Sequence, residues 1–316
     1  MLDQEKHSDV VYSMVEHASA AASSPIAASW RRCVSQHKLD PSENKAPKRL
    51  SEGEFRAVRE RSSMVVEEAS GEMDRLFAMT AQGGFCLLLT DENGVALDRR
   101  GASGDDKDFR GFGLWSGTVW TEASIGTNGI GTALADQRAS VIYRDQHFLS
   151  ANIGLSCTAA PIRDHQGRIR AVLDISNCRD DTTESTMSIL SQAVRDSALR
   201  VETNIFRRVF PKARIIMVKA ASNALLAVDQ HDMVLGATRG ARLALKLDDA
   251  AIASGIPASD LLDEQAQDDA SGFEDAERAA IRKALSRADG NVSRAAVNLG
   301  ISRATMHRKI RRLGLN

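Results

Sequence analysis

The segment Gly290-Asn-Val-Ser-Arg-Ala-Ala-Val-Asn-Leu-Gly-Ile-Ser-Arg-Ala-Thr-Met-His-Arg-Lys-Ile-Arg-Arg-Leu-Gly314 predicts two short helices joined by a tight turn. Ser293 is expected to cap the first, whose small Ala295 and Ala296 allow close approach while Val292, Val297 and Leu299 supply apolar contacts. Gly300 ends it, because glycine tolerates the positive φ that such a turn often needs. Ile301 then plugs the turn and Ser302 caps the second helix. Met306, Ile310 and Leu313 follow at spacings of four and three and so share a buried side, which leaves Arg303, Ala304, His307, Arg308 and Arg311 on the outward one. Between Arg278 and Arg312 there are ten Lys or Arg against one acid, Asp289. That local excess is what phosphate neutralisation and counterion release require. A solvated basic helix in an ordinary bundle would explain the charge but not the turn.

With a preceding helix from Glu274 to Arg287, Gly290-Asn291-Val292-Ser293 at its start and Leu299-Gly300-Ile301-Ser302-Arg303 at its turn, this region resembles the Fis-type helix-turn-helix. His307 stands where that family usually carries Tyr. The resemblance implies double-stranded DNA as a partner. Arg303 and Arg308 are the candidates for base edges, since arginine pairs bidentately with guanine in the major groove. Thr305, Lys309 and Arg312 are candidates for phosphate contacts, and Ser293, Ala304, His307 and Arg311 complete the expected DNA-facing set.

A chain of 316 residues has room for two or three domains, each with its own core. The formal net charge is −1, so the basic end is balanced elsewhere. Asp260 to Glu277 does this with eight acids and no Lys or Arg, a run suited to a solvated linker that leads into an acidic first helical turn. The four cysteines, Cys33, Cys86, Cys157 and Cys178, lack close spacing among themselves and with His147, so no metal site, cofactor or disulfide framework is expected. No apolar run reaches signal or membrane length, and a cytoplasmic protein without membrane contact is expected.

Upstream, the apolar residues Phe55, Val58, Val65, Ala69, Met73, Leu76 and Phe77 predict one long amphipathic helix over Leu50 to Thr80. The period then changes to that of strands. Phe85 to Thr90 reads as a buried strand, Asp91-Glu-Asn-Gly94 as a turn and Val95 to Asp98 as its hairpin partner, with further strands at Ala139 to Tyr143, Cys157 to Ile162 and Ile169 to Ile175. After them Met187, Leu190, Val194, Ala198, Val201, Ile205 and Val209 repeat at threes and fours on a helix of about 27 residues, roughly 40 Å long. That helix exceeds what the sheet needs, and its stripe is expected to form a homodimer seam; burial within one subunit is the competing reading.

This α+β order of helix, antiparallel sheet and exit helix resembles a GAF sensory domain. Ser29-Trp-Arg-Arg-Cys33, Asp40-Pro41, Trp120, Glu122, Gly126-Thr-Asn-Gly-Ile-Gly-Thr-Ala-Leu134, Gln146-His-Phe148, Cys157 to Ile162 and Val172-Leu-Asp-Ile-Ser176 are together similar to the N-terminal half of bacterial activators of acetoin and glycerol catabolism. A weaker likeness, in Ala224 to Asp229 and Met233 to Ala241, is to the opening of a PAS domain. The expected organisation is an N-terminal helical or irregular segment over 1–49, a GAF-like sensor over 50–210, a partial PAS-like segment over 214–262, an acidic linker over 263–273 and the small all-α reader over 274–316. The activators place an ATPase of roughly 240 residues with a GxxxxGK[ST] phosphate cradle between sensor and reader. Neither is present here.

The resemblance implies a ligand-responsive transcription regulator that acts without an ATPase of its own. Trp115 and Trp120 would line the effector pocket, with Glu122, Thr127, Asn128 and His147 orienting a small organic effector. Filling the core and capping helices are the competing roles for these same side chains. RNA polymerase or an ATPase-bearing relative is the further partner in view, and modulation of such a relative is the alternative function. Free-standing GAF proteins that reduce methionine sulfoxide through a thiol carry no reader, so catalysis is not expected.

Overall fold

The computed structural model describes residues 2–17, 22, 24–219, 223–263 and 272–315. The chain divides into two compact units, Met1–Arg163 with Ile169–Ile205 and Asp164–Arg168 with Phe206–Asn316. In the first, the elements run α1 (Leu2–Glu16), α2 (Pro25–Ser35), α3 (Glu52–Arg61), α4 (Ser63–Thr80), β1 (Cys86–Asp91), β2 (Ala96–Arg100), α5 (Asp106–Phe112), α6 (Glu122–Ile125), α7 (Gly129–Asp136), β3 (Ser140–Tyr143), β4 (Ser156–Arg163), β5 (Ile169–Asn177) and α8 (Glu184–Val209). The five strands form one antiparallel sheet in the order β2-β1-β5-β4-β3. β1 is buried along its whole length, as an apolar strand with neighbours on both edges should be. Its hairpin turn is held by Asp91, whose Oδ1 accepts from the backbone N–H of Asn93 at 2.9 Å and of Val95 at 2.8 Å.

Register places Cys86 opposite Ser176 and Ser176 opposite Cys157, and likewise Leu88, Asp174 and Ala159 in the next row. Cys86, Leu88, Cys157 and Ala159 join Phe109, Leu114, Trp120 and Ile130 in one core. Val11, Trp30, Cys33 and Leu39 belong to the same core, so the segment over 1–49 is part of the sensor unit rather than a separate N-terminal piece. The expected single helix over Leu50 to Thr80 is two. α3 starts with a reciprocal cap, in which Ser51 N donates to Glu54 Oε2 at 2.8 Å and Glu54 N to Ser51 Oγ at 3.4 Å. Ser62, at φ −96° and ψ 9°, separates it from α4. Only α4 buries apolar residues, at Val65, Ala69, Met73 and Leu76.

The stripe on α8 is the second correction. Met187, Val194, Ala198, Val201 and Ile205 are buried within a single copy. Arg200 Nε donates to Glu72 Oε2 of α4 at 2.7 Å, and Glu202 Oε1 accepts from the backbone of Arg163 at 2.8 Å. The length of the helix suggested a partner subunit; most of its apolar face is already covered, with Leu190 and Val209 half-buried.

The second unit contains a three-stranded sheet, β6 (Arg214–Met217), β7 (Leu225–Val228) and β8 (Val234–Ala237) in sequence order, followed by α9 (Arg239–Leu245), α10 (Asp249–Ala253) and α11 (Ala258–Asp263). Val218, Leu226, Val228, Val234, Ala241 and Leu247 give it its own core. Of the expected acidic linker, 264–271 lies outside the described residues. The chain ends in α12 (Gly272–Arg287), α13 (Val292–Asn298) and α14 (Arg303–Arg312).

Because Val194 is fully buried and Ile189 on the same helix is 74% exposed, aspartate at the two positions should behave oppositely. Val194→Asp places a charge where it has no partner, at a cost of about 3 kcal/mol or more, and should lower Tm by roughly 6–12 °C. Ile189→Asp should leave Tm unchanged. Thermal denaturation of both variants decides this, and a stable, monomeric Val194→Asp protein would restore the seam.

Candidate nucleic-acid interface and sensor interior

The three terminal helices close on Ile281, Ala284, Leu285, Ala288, Ala295, Ala296, Met306, Ile310 and Leu313. The turn between α13 and α14 is as expected, with Gly300 at φ 64° and Ile301 N donating to Ala296 O at 3.0 Å. Ser302 caps α14, its Oγ accepting from Thr305 N at 3.1 Å. Two expectations fail. The cap of α13 is Asn291, whose Oδ1 accepts from Arg294 N at 3.1 Å, while Ser293 is an exposed residue inside the helix. Val297 supplies no apolar contact and is 78% exposed.

Arg303, Ala304, His307, Arg308 and Arg311 all face solvent, and none of the three arginines takes an ion pair among the described residues. The two cations expected to reach phosphate are differently placed. Lys309 and Arg312 both pair with Glu277 on α12. Hydrogen bonding from Lys309 holds that carboxyl below the usual carboxylate range. Thr305 is half-buried, its hydroxyl 2.8 Å from Ser302 Oγ in the cap. α12 is also tied to the β7–β8 turn, where Asp232 pairs with Arg282 at 2.9 Å and with Arg214.

In the sensor unit, all six side chains expected to face a ligand have internal partners. Glu122 is buried and accepts two hydrogen bonds from Arg32 at 2.8 and 2.7 Å, with a third from Ser29 at 2.5 Å. Thr127 Oγ1 lies 2.6 Å from Ser29 Oγ. This clasp fastens α2 to the loop around α6, which explains Ser29 and Arg32 in the motif read from sequence. Asn128 caps α7, accepting from Gly131 N at 2.8 Å and donating to Gly126 O at 2.8 Å. Trp120 is buried and its indole N–H reaches Thr118 Oγ1 at 3.1 Å. Trp115 is half-buried between the guanidinium groups of Arg99 and Arg110, 4.3 and 3.6 Å from its ring.

His147 belongs to a buried relay that sequence reasoning did not assemble. Its Nδ1 lies 2.9 Å from Arg144 O and its Nε2 3.4 Å from Cys157 Sγ. Ser176 Oγ is 3.2 Å from that sulfur and 2.6 Å from Asp174 Oδ2. A backbone carbonyl only accepts, so Nδ1 carries the imidazole hydrogen and Nε2 accepts from the thiol. Neutral His147, Cys157 and Ser176 supply one hydrogen each, one short of the four links. The remaining one comes from a protonated Asp174. Burial agrees, pushing Asp174 up to about 7 and His147 down to about 4, and raising the Cys157 thiol well above its ordinary value. Such a thiol is not a nucleophile at neutral pH. The readable signal was Asp174 itself, a lone carboxylate in the apolar run Ala171 to Ile175.

Comparison with known proteins agrees with both units. Residues 39–201 match the GAF domain family, and residues 272–313 match "Bacterial regulatory protein, Fis family". The acetoin catabolism regulatory protein of Cupriavidus necator is 34% identical over 225 residues, which is 69% of this chain and 34% of that protein. The acetoin dehydrogenase operon transcriptional activator AcoR of Bacillus subtilis is 31% identical over 151 residues, 48% of this chain and 25% of that protein. This chain thus spans about a third or less of the relatives it matches. Between the two family matches, the stretch 202–271 is too short for an ATPase domain. Among solved structures, the E. coli DhaR(N)-DhaL complex superposes with a TM-score of 0.51 at 18% identity, covering 77% of this chain and 86% of that one. At that identity the likeness concerns the fold.

The relay makes an unusual pH prediction. From about pH 4 to 6.5 an unfolded Asp174 is ionised and an unfolded His147 is charged, whereas the folded pair is neutral. Folding therefore takes up a proton at Asp174, which makes stability fall as pH rises, and releases one at His147, which makes it rise. The two slopes cancel in the native protein. His7, the thiols of Cys86 and Cys157, and Ser176 are the other polar groups against the pair. Asp174→Asn should leave only the rising slope, and His147→Gln only the falling one, each up to about 1.4 kcal/mol per pH unit. Urea unfolding between pH 4.5 and 6.5 measures both, and parallel slopes in the two variants would sink the assignment.

Proposed function

Since this chain belongs to the GAF domain family and carries a Fis-family match at residues 272–313, we propose that it is a sequence-specific DNA-binding transcription regulator whose GAF unit responds to a small effector. It acts without an ATPase of its own. The observation that carries this reading is the solvent face of α14, where Arg303, His307, Arg308 and Arg311 stand together on a helix held rigidly by Met306, Ile310 and Leu313. Arginines without internal ion pairs are available to guanine edges and phosphate, and a recognition helix in a helix-turn-helix enters the major groove. The relatives named for acetoin catabolism and for the acetoin dehydrogenase operon are consistent with control of a catabolic operon. We further infer that the protein works as a two-fold dimer, since one short helix reads few base pairs and paired half-sites about 10 bp apart extend the site.

Glu277 sets how much of the basic surface is free. Its pairing with Lys309 and Arg312 reduces the charge offered to phosphate at the edge of the reading face. Arg308→Ala should cost about 1–3 kcal/mol at the preferred site and relax its sequence preference. Glu277→Gln should do the reverse for all sequences, raising affinity and steepening the slope of log K against log salt by about one to two units as the two cations become available. DNA selection with purified protein, followed by salt-dependent binding of each variant, tests both. Loss of affinity in Glu277→Gln with an intact fold would mean that the ion pairs position α14 rather than restrain it. Unchanged binding in both variants would remove α14 as the reading face, and failure of the purified protein to select any DNA would remove the DNA reading.

A further inference from the structure

A cleft of about 730 Å³ opens in the sensor unit, lined by residues 44–47, by Lys107, Asp108, Gly111 and Phe112 of α5, by Ala151 and Asn152, and by Cys178. Two features separate it from an ordinary surface groove. Asn152 is only 5% exposed, yet its Nδ2 has no hydrogen-bond partner. Buried amide donors are almost always paired, because an unmet one forfeits its hydration without return. The second feature is charge. Lys45 and Lys107 are both exposed and take no ion pair among the described residues. Asp108 is the one acid in the lining, and Asp105 close by is engaged by Arg179 at 3.1 Å.

Two cations against one carboxylate leave a single positive charge, and beside them the lining offers hydrocarbon at Ala46, Pro47, Phe112 and Ala151, with Asn44 and Asn152 as uncharged polar groups. We propose that this cleft binds a small aliphatic monocarboxylate, its charged end between Lys45 and Lys107, one oxygen accepting from Asn152, and its carbon chain on Phe112. The chemistry discriminates against neighbours. A phosphate brings close to two negative charges and no hydrocarbon for the apolar lining, and a neutral amide or alcohol leaves both lysines unmatched. The volume falls within the range of small-molecule sites. This assignment rests on the sensor role proposed above and locates its ligand away from Glu122, Thr127, Asn128 and His147, whose hydrogen bonds are already made.

Calorimetric titration of the full-length, DNA-free protein with butyrate, butyramide and inorganic phosphate tests it. Butyrate should saturate one site per chain, with butyramide and phosphate at least tenfold weaker. Lys45→Gln and Lys107→Gln, both on the surface, should each weaken butyrate by about tenfold, the loss of one charge-assisted hydrogen bond. Asn152→Asp keeps the side-chain volume but turns the amide donor into an anion, and should abolish binding while far-ultraviolet circular dichroism remains native. Equal binding of butyramide, no binding of butyrate, or unchanged affinity in both lysine variants overturns the assignment. DNA binding by the same preparation separates the two readings. If butyrate fails while Arg308→Ala loses DNA as expected, the cleft is not the site and the regulator stands.

Discussion

Helix α7 lies directly against the inner face of the sheet, and much of the sensor unit's interior follows from that contact. A Cβ on Gly129 would stand 2.7 Å from Asp174 Oδ1 and 2.8 Å from Cys157 Cβ, and one on Gly131 would stand 2.5 Å from the backbone N of Glu122. Only glycine allows a helix that near to both a strand and a loop. Polar side chains beneath it are then beyond the reach of water and turn to one another, which is why Asp174, Ser176, Cys157 and His147 form a relay, with Asp174 Oδ1 left unpaired. On its other side the same helix needs the loop around Glu122 held down. Arg32, Ser29 and Thr127 do that, and they bring the N-terminal segment into the core with them.

What the sequence made legible was periodicity and turn chemistry; what it hid was the identity of the covering partner. The strands, their hairpin at Asp91 to Gly94 and the long exit helix were all readable, because a period of two or 3.6 reports which residues share a face. The same pattern is silent on what covers that face. Met187, Val194, Ala198, Val201 and Ile205 could as well have met a second copy as their own unit, and they are buried within one chain. Continuity misled in the other direction at Ser62, since the apolar spacing runs on through the break between α3 and α4. Ser293 and Asn291 are both good capping residues two positions apart, and sequence alone had no means to rank them. Asn291 serves.

Charge was counted correctly and placed incompletely. The basic excess over Arg278 to Arg312 is real, but the window closed one residue short of Glu277, which takes up Lys309 and Arg312. Those two cations were expected to reach phosphate. The neighbouring helix, invisible to a one-helix wheel, supplied the acid. The reading face that remains, Arg303 with His307, Arg308 and Arg311, is narrower than composition suggests and more specific in its geometry, since each of its arginines is free to form paired hydrogen bonds to a base.

How an effector could act without an ATPase is constrained by magnitudes. Allosteric coupling is typically about 1–3 kcal/mol, while exposing one fully buried apolar side chain costs about 1.5–3 kcal/mol. α8 runs from the sensor into the second unit, the division falling between Ile205 and Phe206, and it holds five such buried positions. Sliding it by a turn would need more than any ordinary ligand supplies, so α8 moves with the sensor as a rigid piece. The contacts that tie the reader to the three-stranded sheet are of a different order. Asp232 with Arg282 at 2.9 Å, and Asp229 with Ser286 at 3.5 Å, are partly exposed polar pairs, each worth about 1 kcal/mol or less. Those pairs lie within the range a bound ligand can shift. The population of readers docked on the β7–β8 turn, rather than any unpacking of the sensor core, is therefore the equilibrium on which such a regulator can draw.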